Sequence, residues 1–272
     1  MKTRSRNWLF SFVTALSAIA FIAVISLPSA QAQTKPRISS LNLAQTLPII
    51  REQNGYTVCA KLLGEDSGKR TLSLRVLRDA RAYSGIVHTY FVSKDFQNLY
   101  FQYPQETQPG SYELELPPML AGTYDLILEI TGGGGHEHDN PAFVQVFPVG
   151  LELTEDSGDT AWLKRLSLKP ATLEIQAAGK RSKFEWNTLL DGQPVGWGDY
   201  YVHQFILATD WSYFKHDHPK NTSKLGLGSV AASFAFPKSG EYAPFVFLES
   251  GLRIEGSLYR PTLRYPELVN VP

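Results

Sequence analysis

The sequence lacks the features of several large protein classes. It has one cysteine, Cys59, and two methionines in 272 residues, so the chain forms no internal disulfide, and a soft Cu(I) site built from thiolates or thioethers is disfavoured. Cys59 lies in the apolar run YTVCAKLL, which favours a buried small side chain over a reactive thiol. Basic and acidic side chains balance, 26 against 26, so nothing indicates a nucleic-acid partner.

Catalytic signatures are also absent from the sequence. There is no Gly-x-Ser-x-Gly nucleophile motif and no Walker or dinucleotide-binding fingerprint. Carboxylate pairs do occur, but a pair such as Glu113 and Glu115 lies on the polar face of an alternating run, as solvated charges usually do. The sequence therefore predicts a protein without enzymatic activity.

The N-terminus has the layout of a secretory signal peptide. A basic start and an apolar run from Trp8 to Leu27 precede a small-x-small cleavage site that ends at Ala32. This predicts a signal peptide over 1–32 and export to the periplasm or the extracellular space. The apolar run is about as long as the ~20 residues that cross a bilayer, so an uncleaved membrane anchor is the alternative. No later segment predicts a membrane span, and a polar segment follows over 33–48.

The rest of the chain has the pattern of an all-β protein. Short β-rich runs separated by Gly, Pro, Asn and Asp recur at the spacing of a sandwich or barrel. In SYELELP, Tyr112, Leu114 and Leu116 alternate with polar residues, which predicts a half-buried antiparallel strand. Six such runs in the first half correspond to six runs in the second half.

The two halves are related as copies of one unit. The matched residues are His88, Asp95, Pro104 and the turn Gly122-x-Tyr124 in the first half, and His203, Asp210, Pro219 and the turn Gly240-x-Tyr242 in the second. A repeat of this length predicts two tandem β-sandwich domains. We place the degenerate copy at 49–154 and the histidine-containing copy at 155–272, with a polar linker near 155–159.

The second copy carries a candidate metal site. In a β-strand, residues i and i+2 project from the same face, so His216 and His218 can share one ion. His203 completes a three-histidine site if its strand is a neighbour of theirs. Imidazole with carboxylate or water suits Cu(II) or Zn(II).

A purely structural role for these histidines is the alternative. The first copy has Phe101 and Tyr103 where the second has His216 and His218, so the same face is aromatic when the pair is missing. His203 recurs as His88 although the pair is lost, which favours a role in the fold for that histidine. Asp95 and Asp210 are typical of turns, where a carboxylate accepts backbone N–H bonds; orienting a histidine ligand is the other role open to Asp210.

Two further groups have weaker interpretations. His136 and His138 follow four glycines, which favours a solvated loop over a weak surface metal site. Aromatic residues surround the candidate site of the second copy: Trp186, Trp197, Tyr200, Tyr201, Trp211 and Tyr213. Core packing explains most of them, and a face that binds carbohydrate is a third functional hypothesis.

The second half contains a recognisable signature, D-x-x-x-F-x-H-x-H-P, from Asp210 to Pro219. Over residues 166–262 it resembles a family of bacterial secreted or envelope proteins with small immunoglobulin-like sandwiches, some of them associated with heavy-metal or copper handling. The resemblance implies an immunoglobulin-like fold for both copies. It implies metal binding only for the second, because Phe101 and Tyr103 replace the histidines of the signature in the first.

The functional prediction is an exported, non-enzymatic protein that binds Cu(II) or Zn(II) through His203, His216 and His218 and takes part in metal handling in the cell envelope. The alternative is a structural, interaction or adhesion module with an envelope protein partner, whose histidines only pack. A carbohydrate-binding module is the third hypothesis.

Overall fold

The structure is a computed structural model that describes residues 48–66, 69–131, 141–157, 159–195, 202–218, 229–249, 251–255 and 257–272. These ranges contain 21 β-strands, one 3-10 turn at Leu163–Arg165 and no α-helix. None of them forms a helix long and apolar enough to cross a membrane. The predicted signal peptide, the polar segment up to residue 47 and the His136–His138 pair lie outside the described residues.

The first sandwich consists of two antiparallel sheets. Its strands are β1 (Ile49–Gln53), β2 (Tyr56–Asp66), β3 (Lys69–Arg78), β4 (Arg81–Ala82), β5 (Val87–Ser93), β6 (Leu99–Gln102), β7 (Gln105–Gln108), β8 (Ser111–Glu115), β9 (Gly122–Ile130) and β10 (Phe143–Leu153). One sheet has the order β1-β2-β3-β8-β7, with β4 paired to β3, and the other has the order β10-β9-β5-β6. Residues such as Val58, Leu74 and Leu126 fill the core between the two sheets.

The second sandwich also consists of two antiparallel sheets. Its strands are β11 (Leu166–Glu174), β12 (Arg181–Leu190), β13 (Gln193–Pro194), β14 (Val202–Ala208), β15 (Phe214–Asp217), β16 (Ser229–Ala235), β17 (Gly240–Leu248), β18 (Leu252–Ile254), β19 (Ser257–Tyr259), β20 (Thr262–Arg264) and β21 (Val269–Val271). One sheet has the order β11-β12-β13, with β16 on β12, and the other has β15-β14-β17-β20, with β21 on β17; β18 and β19 form a separate hairpin. The fold class is confirmed as all-β and immunoglobulin-like.

Matching local structures support the repeat. Tyr124 donates from its hydroxyl to the carbonyl of Leu120 at 2.8 Å, and Tyr242 donates to the carbonyl of Lys238 at 3.0 Å. Each tyrosine lies two residues after a glycine at positive φ and bonds back four residues, which is the tyrosine corner of immunoglobulin-like sandwiches. The Gly-x-Tyr matches in the sequence therefore mark one structural device that occurs twice.

The structure confirms the predicted alternation in β8 and the turn role of Asp95 and Asp210. In β8, Tyr112 and Leu114 are buried while Glu113 and Glu115 are exposed, as the alternation predicted. The two turn aspartates accept backbone N–H bonds, Asp95 from Gln97 at 3.0 Å and Asp210 from Ser212 at 2.9 Å.

The prediction for Cys59 is wrong. The side chain is half-buried, because its neighbours Val58 and Ala60 take the core face of β2 and alternation turns Cys59 to the other face.

A third hydrophobic core joins the two sandwiches. Sheet β10-β9-β5-β6 and sheet β15-β14-β17-β20 pack through their outward faces. The residues of this core are Tyr90, Val92, Phe96, Leu99, Phe101 and Ile127 from the first sandwich, and Phe205, Leu207, Ala243, Phe245 and Phe247 from the second. We call this contact the inter-sandwich interface. The described residues from 48 to 272 accordingly belong to one compact unit, and the boundary at 154/155 between separate domains stays a prediction.

The inter-sandwich interface has an approximate twofold relation. Positions 115 apart in the sequence face one another: the rings of Tyr90 and Phe205 are 5.0 Å apart, and those of Phe96 and Trp211 are 5.1 Å apart. This self-complementary arrangement is the one that a symmetric dimer uses, here formed within a single chain. The same face of the same sheet in each copy therefore supplies the contact.

Candidate metal centre

The hairpin of β14 and β15 brings the three predicted histidines together. Phe205 pairs with His216 and Gln204 with Asp217 across the two strands, so the register continues to His203 opposite His218. Directly opposed residues share a face of the sheet, and this face is turned towards the first sandwich. His203 and His216 are 3 % and 1 % exposed, while His218 is half-buried at the rim.

The ring nitrogens of these histidines form a small triangle. His203 Nδ1 lies 2.6 Å from His216 Nε2, and His218 Nε2 lies 3.2 Å from each of them. Around a tetrahedral ion with Zn–N bonds of about 2.0–2.1 Å, the nitrogens are about 3.3 Å apart. Two sides of the triangle match this spacing, and the third needs a ring shift of about 0.7 Å. We call this arrangement the histidine tripod.

The other nitrogen of two of these rings is bonded to a carboxylate. His203 Nε2 is 2.7 Å from Glu249 Oε2, and His216 Nδ1 is 3.1 Å from Glu129 Oε2. A carboxylate only accepts hydrogen bonds, so the ring proton of each neutral imidazole is assigned to that nitrogen. His203 Nδ1 and His216 Nε2 therefore present lone pairs to one another. This is the pattern in which a carboxylate orients a metal-ligating histidine.

The carboxylate that bonds His216 comes from the first sandwich. Glu129, 1 % exposed, lies on β9, and its Oε2 also accepts a short hydrogen bond from the Tyr90 hydroxyl. His88 Nδ1 lies 3.3 Å from the same oxygen. Glu129, His88 and His216 thus form a second group of possible metal ligands that shares His216 with the tripod.

The pKa values of these groups follow from burial and hydrogen bonding. Burial raises the pKa of the Glu129 carboxyl, but the hydrogen bond with His216 and the nearby His88 ring more than reverse this effect, and its pKa lies well below the usual range. Burial lowers the pKa of His203 to about 4, against the opposing effect of Glu249. Burial and the Glu129 charge raise the pKa of Tyr90. At neutral pH the site therefore contains a charged carboxylate and a neutral His203, the form of histidine that binds metals.

The structure separates the predicted residues into those that meet and those that do not. It brings His203, His216 and His218 together. Asp210 is exposed, whereas His203 and His216 are buried. Its carboxylate accepts hydrogen bonds from Ser212 and Lys238 rather than from a histidine. Four partners were not predicted from the sequence: Glu129, Glu249, Tyr90 and His88 in its role beside Glu129.

The aromatic residues near the site divide in the same way. Trp186 is 1 % exposed and belongs to the core inside the second sandwich. Trp211 packs on Phe96 in the inter-sandwich interface, and Tyr213 packs on Phe234. Trp197, Tyr200 and Tyr201 lie outside the described residues. Packing thus accounts for the three aromatic residues that are described.

Comparison with known proteins yields a distant structural similarity. No protein-family model matches the chain, and no curated protein matches it. Among solved structures the chain is similar to the native conformation of E. coli alpha-2-macroglobulin, determined by cryo-EM, with 12 % sequence identity and a TM-score of 0.23. The match covers 85 % of this chain, which spans only 15 % of the length of that protein.

Proposed function

We propose that this chain is an exported, non-enzymatic protein that binds one Cu(II) or Zn(II) ion through His203, His216 and His218. The observation that carries the proposal is the convergence of three imidazole nitrogens within 3.2 Å of one another. The N-terminal pattern of a basic start, an apolar run and a small-x-small site supports export.

The arrangement of protons favours an ion over a purely hydrogen-bonded cluster. Glu249 and Glu129 accept from the outer nitrogens of His203 and His216, so the inner nitrogens of these two rings, 2.6 Å apart, both present lone pairs. Two lone pairs at this distance repel each other unless a proton or a metal ion lies between them. A divalent ion removes the repulsion and uses all three nitrogens of the tripod at once.

The donor set limits the choice of ion. Three neutral imidazoles with carboxylates behind them suit Zn(II) and Cu(II), which bind imidazole well. The soft ligands that select Cu(I) are not part of the tripod: Cys59 lies on β2, a strand of the sheet of the first sandwich that does not contribute to the inter-sandwich interface. Binding requires neutral rings, so affinity falls once the pH is low enough to protonate a tripod histidine.

The test compares two matched histidine pairs. The purified protein is titrated with Zn(II) and with Cu(II) against a competing chelator, beside the double variants His216→Ala/His218→Ala and His136→Ala/His138→Ala. Both variants remove a His-x-His pair, but only the first removes tripod ligands. We expect one ion per chain in the unmodified protein and in the His136/His138 variant, and no stoichiometric binding in the His216/His218 variant.

Two outcomes contradict the proposal. The unmodified protein binds no ion, or it binds one and the His216/His218 variant binds it equally well. The first outcome favours a second function, in which the histidines serve a structural or interaction module and only hold the two sandwiches together. One observation supports that alternative, namely that Glu129 of the first sandwich hydrogen-bonds His216 of the second across the inter-sandwich interface.

A further inference from the structure

Glu129 stands where an aromatic residue would fit. His88 pairs with Glu129 across β5 and β9, and His203 pairs with Phe247 across β14 and β17, so Glu129 and Phe247 occupy equivalent positions in the two copies. Phe247 packs on Phe101 with the rings 4.8 Å apart. A buried carboxylate is strongly unfavourable unless it is paired. Simple packing between the sandwiches therefore favours a phenylalanine at both positions.

The contacts of Glu129 indicate why a carboxylate is there. Its Oε2 bonds the Tyr90 hydroxyl and lies 3.1 Å from His216 Nδ1. Tyr90 OH is itself 3.0 Å from His216 Nδ1. As the charged acceptor, Glu129 fixes the proton on His216 Nδ1 and the orientation of the ring, so that the Nε2 lone pair is aimed at His203 and His218. Tyr90 donates to Glu129 and holds its carboxylate in place. The second sandwich holds the ligands, and the first sandwich holds the group that orients the most deeply buried of them.

We infer that Glu129 is a positioning residue for the metal site, so that the site belongs to both sandwiches and metal binding is coupled to their docking. This inference rests on the proposed function. Coupling of this kind is reciprocal: a bound ion strengthens the inter-sandwich interface, and loosening of the interface weakens the binding of the ion. The degenerate first copy then contributes to metal binding. It supplies the Glu129 carboxylate, and the second copy has Phe247 at the equivalent position.

The experiment compares two variants within the hydrogen-bonded group of Tyr90, Glu129 and His216. One changes the carboxylate that bonds the histidine, and the other removes the hydroxyl that bonds the carboxylate. Glu129→Gln removes the charge that orients His216. Tyr90→Phe removes the hydroxyl that donates to Glu129 but leaves the Glu129 carboxylate hydrogen-bonded to His216. Affinity for Zn(II) is measured from pH 5.5 to 8, together with the urea midpoint and the visible spectrum of the Co(II) form. We expect Glu129→Gln to lower affinity about ten- to a hundred-fold, to alter its pH profile and to change the Co(II) spectrum. We expect Tyr90→Phe to lower the urea midpoint with a much smaller effect on affinity.

The outcomes separate this inference from the proposed function. If the unmodified protein binds no ion, both fail. If it binds one ion and Glu129→Gln binds it equally well, only the inference fails. It also fails if both variants lose affinity in proportion to stability, because the role of Glu129 is then only structural. Two ions in the unmodified protein and one in Glu129→Gln would make Glu129 a ligand and overturn the positioning role.

A measurement on the unmodified protein covers the case in which Glu129→Gln does not fold. Amide hydrogen exchange is followed with and without Zn(II). We expect slower exchange in β5 and β9 of the first sandwich as well as in β14 and β15 of the second. Slowing confined to the second sandwich would contradict the inference.

Discussion

Replacing Phe205 with alanine tests whether the inter-sandwich interface holds the two sandwiches together. Phe205 is 0 % exposed. Its ring is 5.0 Å from that of Tyr90 and 5.2 Å from that of Phe101, both in the first sandwich, and it also packs against His216 at 5.0 Å. The side chain therefore contributes to the interface and supports a tripod ligand at the same time.

The expected loss of stability is large. Truncating a buried phenylalanine to alanine costs about 3–5 kcal/mol, and edge-to-face contact with another ring contributes about 0.5–1.5 kcal/mol beyond the buried area. The measured cost of such a truncation already includes its ring contacts, so for Phe205 we expect the upper part of the range, about 4–5 kcal/mol. For a protein of this size each kcal/mol lowers Tm by about 2–4 °C, which gives a decrease of about 8–20 °C.

Urea unfolding followed by tryptophan fluorescence and by far-UV circular dichroism provides the assay. We expect one transition in the unmodified protein and two in Phe205→Ala, because each sandwich keeps its own core. The control is Phe184→Ala, a truncation of the same size at a residue that is 0 % exposed but packs on Phe236 and Tyr265 inside the second sandwich. A loss below about 1 kcal/mol, or the same splitting in the control, would refute the reasoning.

Two further predictions concern single side chains. Tyr124→Phe removes the hydroxyl that bonds the Leu120 carbonyl and should lower the free energy of unfolding by about 1–3 kcal/mol, measured in urea. Burial holds the pKa of His203 at about 4, against 6.5 ordinarily, so the unfolded chain takes up this proton first. Stability is then full above pH 6.5 and falls by up to about 3 kcal/mol as the pH drops to 4. In urea titrations His203→Gln should show less of this decrease, and an equal decrease would contradict the assignment.

The fold class was predictable because its signals are local. Alternation in SYELELP depends on neighbours two residues apart, and the structure confirms it in β8. The tyrosine corners involve residues four apart, so the recurrence of Gly-x-Tyr was visible in the sequence before its hydrogen bonds were known. Local periodicity and a repeat length suffice for such features.

The three histidines of the tripod were also within reach of the sequence. His216 and His218 were selected by their i, i+2 spacing, and His203 by its place in the preceding strand. The prediction assumed only that their strands are neighbours. β14 and β15 are neighbours, and their register brings the three histidines together.

The carboxylates could not be found by spacing, because Glu129 and His216 are 87 positions apart. One sequence signal for Glu129 was present and unused: it is a lone charge in the apolar run LILEI, and a charge in a strand buried on both faces requires a partner.

The sequence by itself determined two β-sandwiches, their repeat and a histidine cluster on one strand pair. Only the tertiary structure decided that the outward faces of these sheets pack on each other, because that contact joins two surfaces distant in the chain and depends on their shapes together. Each sheet buries both faces in consequence, as the complete burial of β5 and β14 shows. The same contact places the Glu129 carboxylate of one copy against the His216 imidazole of the other, in an interior where a charge needs a partner.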